Sequence, residues 1–436
     1  MAIASSGLLL AGCGTTSSSN TTSSTTKSTT SSSTSSSASK AVTITWAASP
    51  IANAGLRAAL IKDFEKANPN IKVKLISQPT STNTNKTSLT TEISGGSKSP
   101  DVYMGDVIWP AQFGKNHLAL PLSSHFSSSF WKHFAPGLVK GATYKGQVYG
   151  APFFMDAGFL YYRKDLLAQA HLPVPTTWQQ LVSDSQTLQK KGLVKYGYVW
   201  QGKSYEGLTC DYMEVLSDAG GKVITSSNKV LINSPQAIKA TTFLRSLITS
   251  KVSPKAVTTF TEPQAMSTFA SGKSAFLRNW DYAWAYSNNK KLSKVVGKVG
   301  VVPMPTFSGQ SKPGYSTIGG WNNYINPHSA HIKQDVAFIK FLSGTTAQTL
   351  MATKYSLVPT NYAVQKSPSV QKQNKVLAMV YKLRLIARPS YNPNYSKISR
   401  AIYTNVNAAL SGSITPKAAM AAAAKQIKAA VSGSSL

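Results

Sequence analysis

One short segment constrains the fold most strongly, because two alternating runs flank a helical one. The run VTITWA (Val42–Ala47) alternates apolar and polar side chains, as a half-buried strand does. Apolar residues then recur at helical spacing over Gly55–Ala67, and Asn68-Pro69 predicts the end of that helix. The run IKVKLI (Ile71–Ile76) alternates again. A strand, a helix and a second strand of these lengths predict a βαβ unit with a parallel strand pair.

Further along the chain, start signals predict more elements of the same kind. The run from Thr177 to Gln180 has the form of a capping box that begins a helix reaching Lys191. Ser234-Pro235 and Thr415-Pro416 each place a cap residue before a proline at the first helical position. A strand is predicted at 298–303 and a helix at 334–342. The alternation favours an α/β protein with open sheets, whose ligands usually bind beyond the strand ends.

Size and charge narrow the class of protein. A chain of 436 residues with 42% apolar content is too long for one compact core, so its length predicts two domains or lobes. Lys and Arg number 46 against 15 Asp and Glu, giving a net charge of +31. The basic residues are scattered singly, which favours a solvated basic surface over nucleic-acid binding. An acidic habitat would explain the small number of Asp and Glu residues, since their carboxylates are protonated there and contribute little charge.

The first forty residues read as an anchor and a tether. Leu10-Ala11-Gly12-Cys13 resembles a bacterial lipobox, so residues 1–12 are predicted to be a signal peptide and Cys13 the lipidated residue. The apolar run is short and no basic residue precedes it, which a wrongly assigned start codon would explain. Ser and Thr make up 22 of the 27 residues from Gly14 to Lys40, so 13–40 is predicted to be a flexible tether. No other stretch approaches the roughly 18 apolar residues of a membrane span.

Several motifs of chemistry are missing from the sequence. No GxxxxGK[ST] segment for phosphate binding is present, and the six histidines form no HExxH or comparable cluster. Cys210 is predicted to be a lone buried thiol. We therefore predict no metal and no cofactor.

The stretch GQVYGAPFFMDAGFLYYRKDLL (Gly146–Leu167) places one acid inside an apolar run. A carboxyl group among Pro152, Phe153, Phe154 and Phe159 loses solvation and needs a hydrogen-bonding partner. An acid kept there, in a chain with few acids, suggests that Asp156 serves a polyhydroxylated ligand.

A series of segments together resembles the sugar-binding branch of the extracellular solute-binding proteins of ABC importers, and most closely the trehalose/maltose-binding group. The segments run in one order over about Ala41–Val431, and they are Ser99–Phe113, Gly146–Leu167, Pro175–Leu181, Tyr196–Leu216, Ser271–Ala285, Gly297–Pro305, Ile318–Ile325 and Ala387–Pro393.

The resemblance implies a two-lobed, periplasmic-binding-protein-like α/β fold with three hinge crossovers and a ligand cleft between the lobes. The crossovers are expected near 151–157, 302–306 and 342–346. The first lobe would comprise 41–152 and 304–343, and the second 153–303 and 344–436. The implied protein is a monomer that closes on a sugar and presents it to an ABC permease at the outer face of the membrane.

The resemblance also assigns ligand contacts. Asp106, on a loop, and Asp156 would accept hydrogen bonds from sugar hydroxyls, and Trp280 and Trp321 would stack on the sugar faces. Gly320 would bring the backbone close to the ligand, and Arg388 would offer a rigid fork to sugar oxygens. The remaining candidates are Asn53, Asn85, Trp109, Phe154 and Tyr391.

The sequence departs from the related group at three of its positions. Asn53 stands where an acid is common and Asn85 where an arginine is common, which leaves the identity of the sugar open. Asp281 replaces a proline. Trp284 falls on the same helical face as Trp280 if that segment is helical, and it is assigned to packing.

Two other functions compete with the sugar receptor. A glycosidase would use Asp106 and Asp156 as paired carboxyl groups about 5–9 Å apart. A polyanion-binding surface protein would use the positive charge, and its binding would depend steeply on salt.

Overall fold

The computed structural model describes residues 41–50 and 55–433. The thirteen strands of this described part are Val42–Ala48 (β1), Ile71–Ser77 (β2), Val102–Asp106 (β3), Thr143–Tyr144 (β4), Gln147–Val148 (β5), Ala151–Ala157 (β6), Phe159–Arg163 (β7), Tyr196–Val199 (β8), Ser274–Asn279 (β9), Val299–Val302 (β10), Tyr315–Ile325 (β11), Val358–Pro359 (β12) and Arg384–Ile386 (β13).

The α-helices of the same residues are Gly55–Ala67 (α1), Thr82–Ser94 (α2), Pro110–Lys115 (α3), Ser128–Trp131 (α4), Pro136–Gly141 (α5), Lys164–Ala170 (α6), Trp178–Lys190 (α7), Glu206–Asp218 (α8), Pro235–Thr249 (α9), Glu262–Ala270 (α10), Ala283–Ser287 (α11), Ile332–Leu342 (α12), Thr345–Tyr355 (α13), Tyr362–Lys366 (α14), Pro368–Gln373 (α15), Leu377–Val380 (α16), Tyr395–Ser411 (α17) and Pro416–Ser432 (α18). A 3₁₀ helix spans Lys255–Thr259.

The first sheet has seven strands in the order β12-β6-β11-β3-β1-β2, with β13 paired to β11. Strand β1 runs parallel to both β2 and β3, whereas β11 runs antiparallel to β3 and β6. The βαβ unit predicted for 42–76 therefore forms, and α1 has the predicted bounds. Its core is aromatic, since Trp46 packs edge-on against Phe153 and Phe338.

The second sheet has four strands in the order β10-β7-β9-β8. Its core is separate and includes Tyr161, Trp178 and Leu277, together with residues of the C-terminal helices α17 and α18. The Thr177 capping box at the start of α7 and the Ser234 and Thr415 caps of α9 and α18 are present as predicted.

The chain passes from the first sheet to the second at Gly158, between β6 and β7, and returns between β10 and β11. Helix α13 contributes Ala347 and Met351 to the core of the first sheet, although both residues lie beyond the lobe limit expected at 343. The predicted lobe limits stay a prediction.

The structure also bears on the predictions made for membrane spans, for Cys210 and for the N-terminal region. No helix within the described residues is long and apolar enough to cross a membrane. Cys210 is a buried free thiol, as expected. Residues 1–40, with the predicted signal peptide, Cys13 and the tether, lie outside the described residues.

Candidate ligand-binding site

A cavity of about 260 Å³ lies between the two sheets and brings together most of the predicted site residues. Of these, its lining contains Asp106, Asp156, Trp280, Gly320, Trp321 and Arg388. Ser49, Thr80, Thr82, Glu206, Glu262 and Tyr282 also line it. Placed polar groups among aromatic planes are typical of small-molecule clefts.

Strands of the first sheet position one wall. Asp106 is the last residue of β3 rather than a loop residue, and it lies opposite Trp321 of β11. Asp156 of β6 lies opposite Gly319, which also belongs to β11. Because β11 pairs with both neighbours, it fixes the spacing of the two aspartates, with Trp321 between them in the lining.

Two glycines of β11 allow the close packing at this wall. A Cβ at Gly319 would lie 2.9 Å from the Trp280 ring, so the glycine lets that ring approach the strand. Gly320 has φ +124°, and a Cβ there would lie 2.5 Å from the Phe154 carbonyl oxygen. A β-bulge follows at Trp321 and Asn322. The backbone therefore requires glycine at 320.

The opposite wall of the cavity carries two acids, and each is the first residue of a helix in the layer of the second sheet. Glu206 begins α8 and Glu262 begins α10. A helix N-terminus favours a negative charge, so both positions suit a carboxylate. Neither residue was among the predicted contacts. The scarcity of acids that singled out Asp156 could also have pointed to Glu206, which lies in the segment Tyr196–Leu216.

At one end of the cavity, Arg388 joins the two walls; we call this set, Asp106, Glu206 and Arg388, the arginine end. Arg388 Nη2 donates to Asp106 Oδ1 at 2.8 Å, and Nη1 donates to Asp106 Oδ2 at 3.2 Å and to Glu206 Oε1 at 3.0 Å. The two Nη atoms of Arg388, which were predicted to donate to sugar oxygens, therefore donate to carboxylates of the protein. The Arg388 Nε atom is buried without a hydrogen-bond partner in the described protein.

Burial and charge oppose one another at the arginine end. Burial lowers the pKa of Arg388, but the carboxylates of Asp106 and Glu206 raise it well above its usual range. Burial raises the pKa of Glu206, while Arg388 lowers it and Ser399 and Tyr395 donate to its two oxygens. The ion pairs thus keep three buried charged groups in place.

Asp156 lines the cavity away from Arg388, and Asp281 lies behind it; we call these two residues the acid pair. The two carboxyl groups are close enough to hydrogen-bond to one another when one of them carries a proton. Burial raises the pKa of Asp156 to about 6, although the hydrogen bond to Asp281 lowers it. Asp156 Oδ1 is buried with no hydrogen-bond partner in the described protein. Asp156 also lines the cavity, where its carboxyl group could accept from a ligand.

Trp280 is held between charged groups at the second wall. The Arg278 guanidinium lies 4.1 Å from the centre of its ring, and its Nε1 atom donates to Glu262 at 3.4 Å. Trp280 precedes α11, whereas Trp284 lies inside that helix, so the two do not share one helical face. Trp284 is half-buried and packs against the second core, as expected of a packing residue.

The lower-ranked candidates lie outside the cavity lining. Trp109 stacks on Phe113, and Phe154 is buried in the first core. Tyr391 is 52% exposed, and its hydroxyl donates to the Thr225 carbonyl oxygen. The structure therefore does not support Trp109, Phe154 or Tyr391 as direct contacts in this cavity.

The two asparagine candidates have different outcomes. Asn85 is fully buried, and its Nδ2 donates to Ser49 Oγ at 2.6 Å, so it supports a lining residue from behind. Asn53 lies in 51–54, outside the described residues.

Comparison with known proteins now decides the family. The family described as "Bacterial extracellular solute-binding protein" matches residues 47–349. The chain belongs to that family. The resemblance inferred from the sequence is confirmed, and membership supports a binding protein rather than the glycosidase alternative. The family also places the chain outside the cytoplasmic membrane.

Individual relatives match most of this chain. The chain is 33% identical over 378 residues to a "Probable ABC transporter-binding protein" of Deinococcus radiodurans, and the match covers 84% of this chain and 89% of the relative. The maltose-bound structure of T. maritima MalE3 is 35% identical with TM-score 0.84, covering 89% of this chain and 99% of that one. A Thermotoga lettingae solute-binding protein bound with α-D-tagatose is 26% identical with TM-score 0.81, covering 90% and 100%. These structures confirm the predicted two-lobed α/β fold.

Proposed function

We propose that this protein binds a neutral sugar in the cavity between its sheets and delivers it unaltered to an ABC permease. The observation that carries the proposal is the meeting of Asp156, Trp280 and Trp321 in one lining. Sugars present hydroxyl donors at their edges and apolar C–H faces on their rings. The carboxyl group of Asp156 and two indole planes match both surfaces.

Charge favours a neutral ligand over an anionic one. Four carboxyl residues line the cavity within the described chain, against one arginine that already contacts two of them. An anionic sugar would face Asp156 and Glu262 without a free guanidinium to pair with, because both Nη atoms of Arg388 already donate to carboxylates. Like charges placed together in a buried site cost several kcal/mol.

Size favours a small sugar. A cavity of about 260 Å³ lies near the lower end of ligand pockets, roughly 300–1,000 Å³. A disaccharide of the trehalose or maltose kind is our first choice, and a monosaccharide is the second. The maltose-bound and tagatose-bound structures of related proteins support both choices.

A thermal-shift screen tests the proposal. The panel contains maltose, trehalose, tagatose, mannitol, glucosamine and glucuronate, each at pH 5 and pH 7.5. Ligand that binds only the folded state raises the unfolding midpoint by mass action. We expect at least one neutral sugar to raise it and glucuronate to leave it unchanged. The bound sugar, recovered after incubation, should be chemically intact.

Two tryptophan variants separate binding from stability. Trp321→Ala should abolish the sugar-induced shift while the protein still folds, because Trp321 is only half-buried. Trp131→Ala is the matched control, since it is also half-buried but packs on Phe126 and Phe130 away from the cavity. An undiminished shift in Trp321→Ala would refute the stacking role, and the absence of any shift across the panel would refute the function.

The setting of the receptor forms the second part of the proposal. We infer that Cys13 is lipidated, that 14–40 tethers a monomeric body to the outer face of the membrane, and that the body meets its permease there. The lipobox-like LAGC and the Ser/Thr-rich run support this arrangement. Metabolic labelling with a palmitate analogue should mark the wild-type protein and not Cys13→Ala. Equal labelling of both would contradict it.

A further inference from the structure

Asp281 is an acid that the sugar-binding proposal does not use. It follows Trp280 in the turn between β9 and α11 and is fully buried. Its Oδ2 atom accepts from the Val358 amide at 2.8 Å, and its carboxyl group contacts that of Asp156. The Oδ1 atoms of both residues are buried without a further protein partner in the described chain.

Two ionised carboxylates cannot lie in contact away from water, because their repulsion is unscreened. Asp156 is 4% exposed and Asp281 is 0% exposed. A single proton shared between the two carboxyl groups removes one charge and supplies the missing donor. Such a pair titrates as one unit in two steps.

No other described group is free to neutralise the acid pair. Arg278, on β9, is the nearest cation, and it is held by Glu214, Asp211 and Gln201. Asp106 on β3 and Glu262 on α10 add negative charge toward Asp156. On β7, the Tyr161 hydroxyl donates to the backbone carbonyls of Trp280 and Asp281 rather than to either carboxyl group. Tyr282 is likewise near but brings no positive charge.

We infer that Asp156 and Asp281 share one proton, and that this pair is a proton-linked acceptor that sets the affinity for a sugar hydroxyl. The inference rests on the proposed function. Asp281 is the positioning residue, because the shared proton holds the buried Oδ1 atom of Asp156 and leaves the rest of that carboxyl group at the cavity lining as a carboxylate acceptor. A second proton converts Asp156 to a neutral acid, which is a weaker acceptor.

The direction of the pKa shifts supports this picture. Burial raises the pKa of Asp156 to about 6, and burial together with Asp156 raises the pKa of Asp281 well above its usual range. At neutral pH the pair then carries one shared proton. At pH 5 roughly a tenth of Asp156 remains ionised, so sugar affinity should fall about tenfold from its value at pH 7.5.

A ligand-free experiment tests the shared proton. Protein labelled with carboxyl-¹³C aspartate is titrated by NMR, and Asp156 is assigned from Asp156→Asn. We expect Asp156 to titrate well above the ordinary aspartate range in the wild type. In Asp281→Asn the amide donates permanently and the second carboxyl group is gone, so the Asp156 midpoint should fall by more than one pH unit. An ordinary midpoint in the wild type would overturn the pair.

Calorimetric titration with maltose tests the linkage to binding. The wild type should bind about tenfold more weakly at pH 5 than at pH 7.5, and Asp281→Asn should lose that dependence. Asp184→Asn is the matched control, because Asp184 is a buried acid on α7 with a raised pKa and lies away from the cavity. Equal wild-type affinity at both pH values would overturn the linkage. A protein that binds no sugar of the panel would instead refute the proposed function, and the ¹³C titration would still decide the shared proton.

Discussion

The two ends of the cavity neutralise the same residue type in different ways. Asp106 and Asp156 lie on the two strands that flank β11, and both are nearly inaccessible to solvent. At the arginine end, a guanidinium pairs with Asp106 through two hydrogen bonds. At the acid pair, Asp156 meets a second carboxyl group and needs a proton. The first solution uses an arginine, which keeps its charge, whereas the second depends on pH.

The two ends of the cavity differ in how readily their charges can change. A buried ion pair that spans both walls is costly to break, because each partner would remain as an unpaired buried charge. A carboxyl pair can gain or lose a proton near neutral pH without a change in the surrounding packing. The arginine end should therefore dominate stability, and the acid pair should dominate the response to pH.

Removal of Arg388 should have the largest effect. Arg388→Ala leaves Asp106 and Glu206 buried without their counter-charge, so we expect a loss of about 3–5 kcal/mol in the free energy of unfolding. Urea unfolding measures it. Arg400→Ala on the exposed face of α17 is the control and should change stability by less than about 0.5 kcal/mol. A loss below about 1 kcal/mol for Arg388→Ala would show that the ion pairs are not structural.

The pH dependence of stability should be the next largest effect. Burial raises the pKa of Asp218 and of Asp335 to about 7, and that of Asp156 to about 6. A group with a raised folded pKa binds its proton more tightly in the folded state, so its stabilisation is present at low pH and is lost as pH rises through the folded pKa. Stability should therefore increase by a few kcal/mol from pH 8 to pH 5.

Below that window the trend should reverse. Asp101 and Asp165 have lowered pKa values despite burial, because Thr45 and His331 donate to Asp101 and Arg163 donates to Asp165. Their stabilisation is lost as pH falls through their folded pKa values. Thermal unfolding followed from pH 3 to pH 8 checks both limbs. A maximum at pH 7 to 8 with collapse in mild acid would contradict the buried-acid account and the acid-habitat hypothesis.

A pair of matched substitutions should sharpen the contrast between the two ends. Asp106→Asn removes a charge-assisted bidentate contact and should cost about 2–3 kcal/mol at pH 8. Asp156→Asn removes one of two repelling carboxyl groups and gives Asp281 an amide donor, so stability should change by less than about 1 kcal/mol or increase. Urea unfolding of both variants measures the difference. Equal losses would mean that the acid pair is not under electrostatic strain.

The smallest effect is expected at a residue that belongs to neither end. Tyr391→Ala removes an exposed ring whose only recorded hydrogen bond in the described chain goes to the Thr225 carbonyl oxygen. Stability should change by less than about 0.5 kcal/mol, and sugar affinity should not change. A tenfold loss of affinity would restore Tyr391 as a ligand contact and show that the lining extends further than described.

The acids of the whole molecule repeat the contrast between inside and outside. All fifteen lie in the described part of the chain, and only Glu92 among them is exposed. Ten are buried, namely Asp101, Asp106, Asp156, Asp184, Glu206, Asp211, Glu214, Asp218, Asp281 and Asp335. The scarcity of acids noted in the sequence is therefore a property of the surface, and the interior keeps those that have partners.

Local signals were enough to predict much of the fold. The bounds of α1, the parallel pair β1 and β2, and the caps at Thr177 and Thr415 follow from spacing and capping chemistry over a few residues. The site was less predictable from the residues alone. Asp106 and Arg388 are 282 positions apart, so no local pattern could show that they pair. Only the family resemblance placed both at one cleft.

The residues that were missed or misplaced have a common physical origin. Glu206 and Glu262 look like ordinary first-turn acids of helices, because a helix start alone explains a carboxylate there. Trp109 and Phe154 lie in sequence beside true lining residues, but the strand and helix geometry turns them into the cores. Contact with a cavity depends on long-range packing, which neighbouring residue types do not encode.

A crystal structure with the panel sugar that gives the largest thermal shift tests the central claim most directly. We predict one sugar molecule between the two sheets, with a ring face against Trp280 or Trp321 and a hydroxyl within hydrogen-bonding distance of the Asp156 carboxyl group. A sugar bound elsewhere on the protein, with the cavity between the sheets empty, would contradict the account.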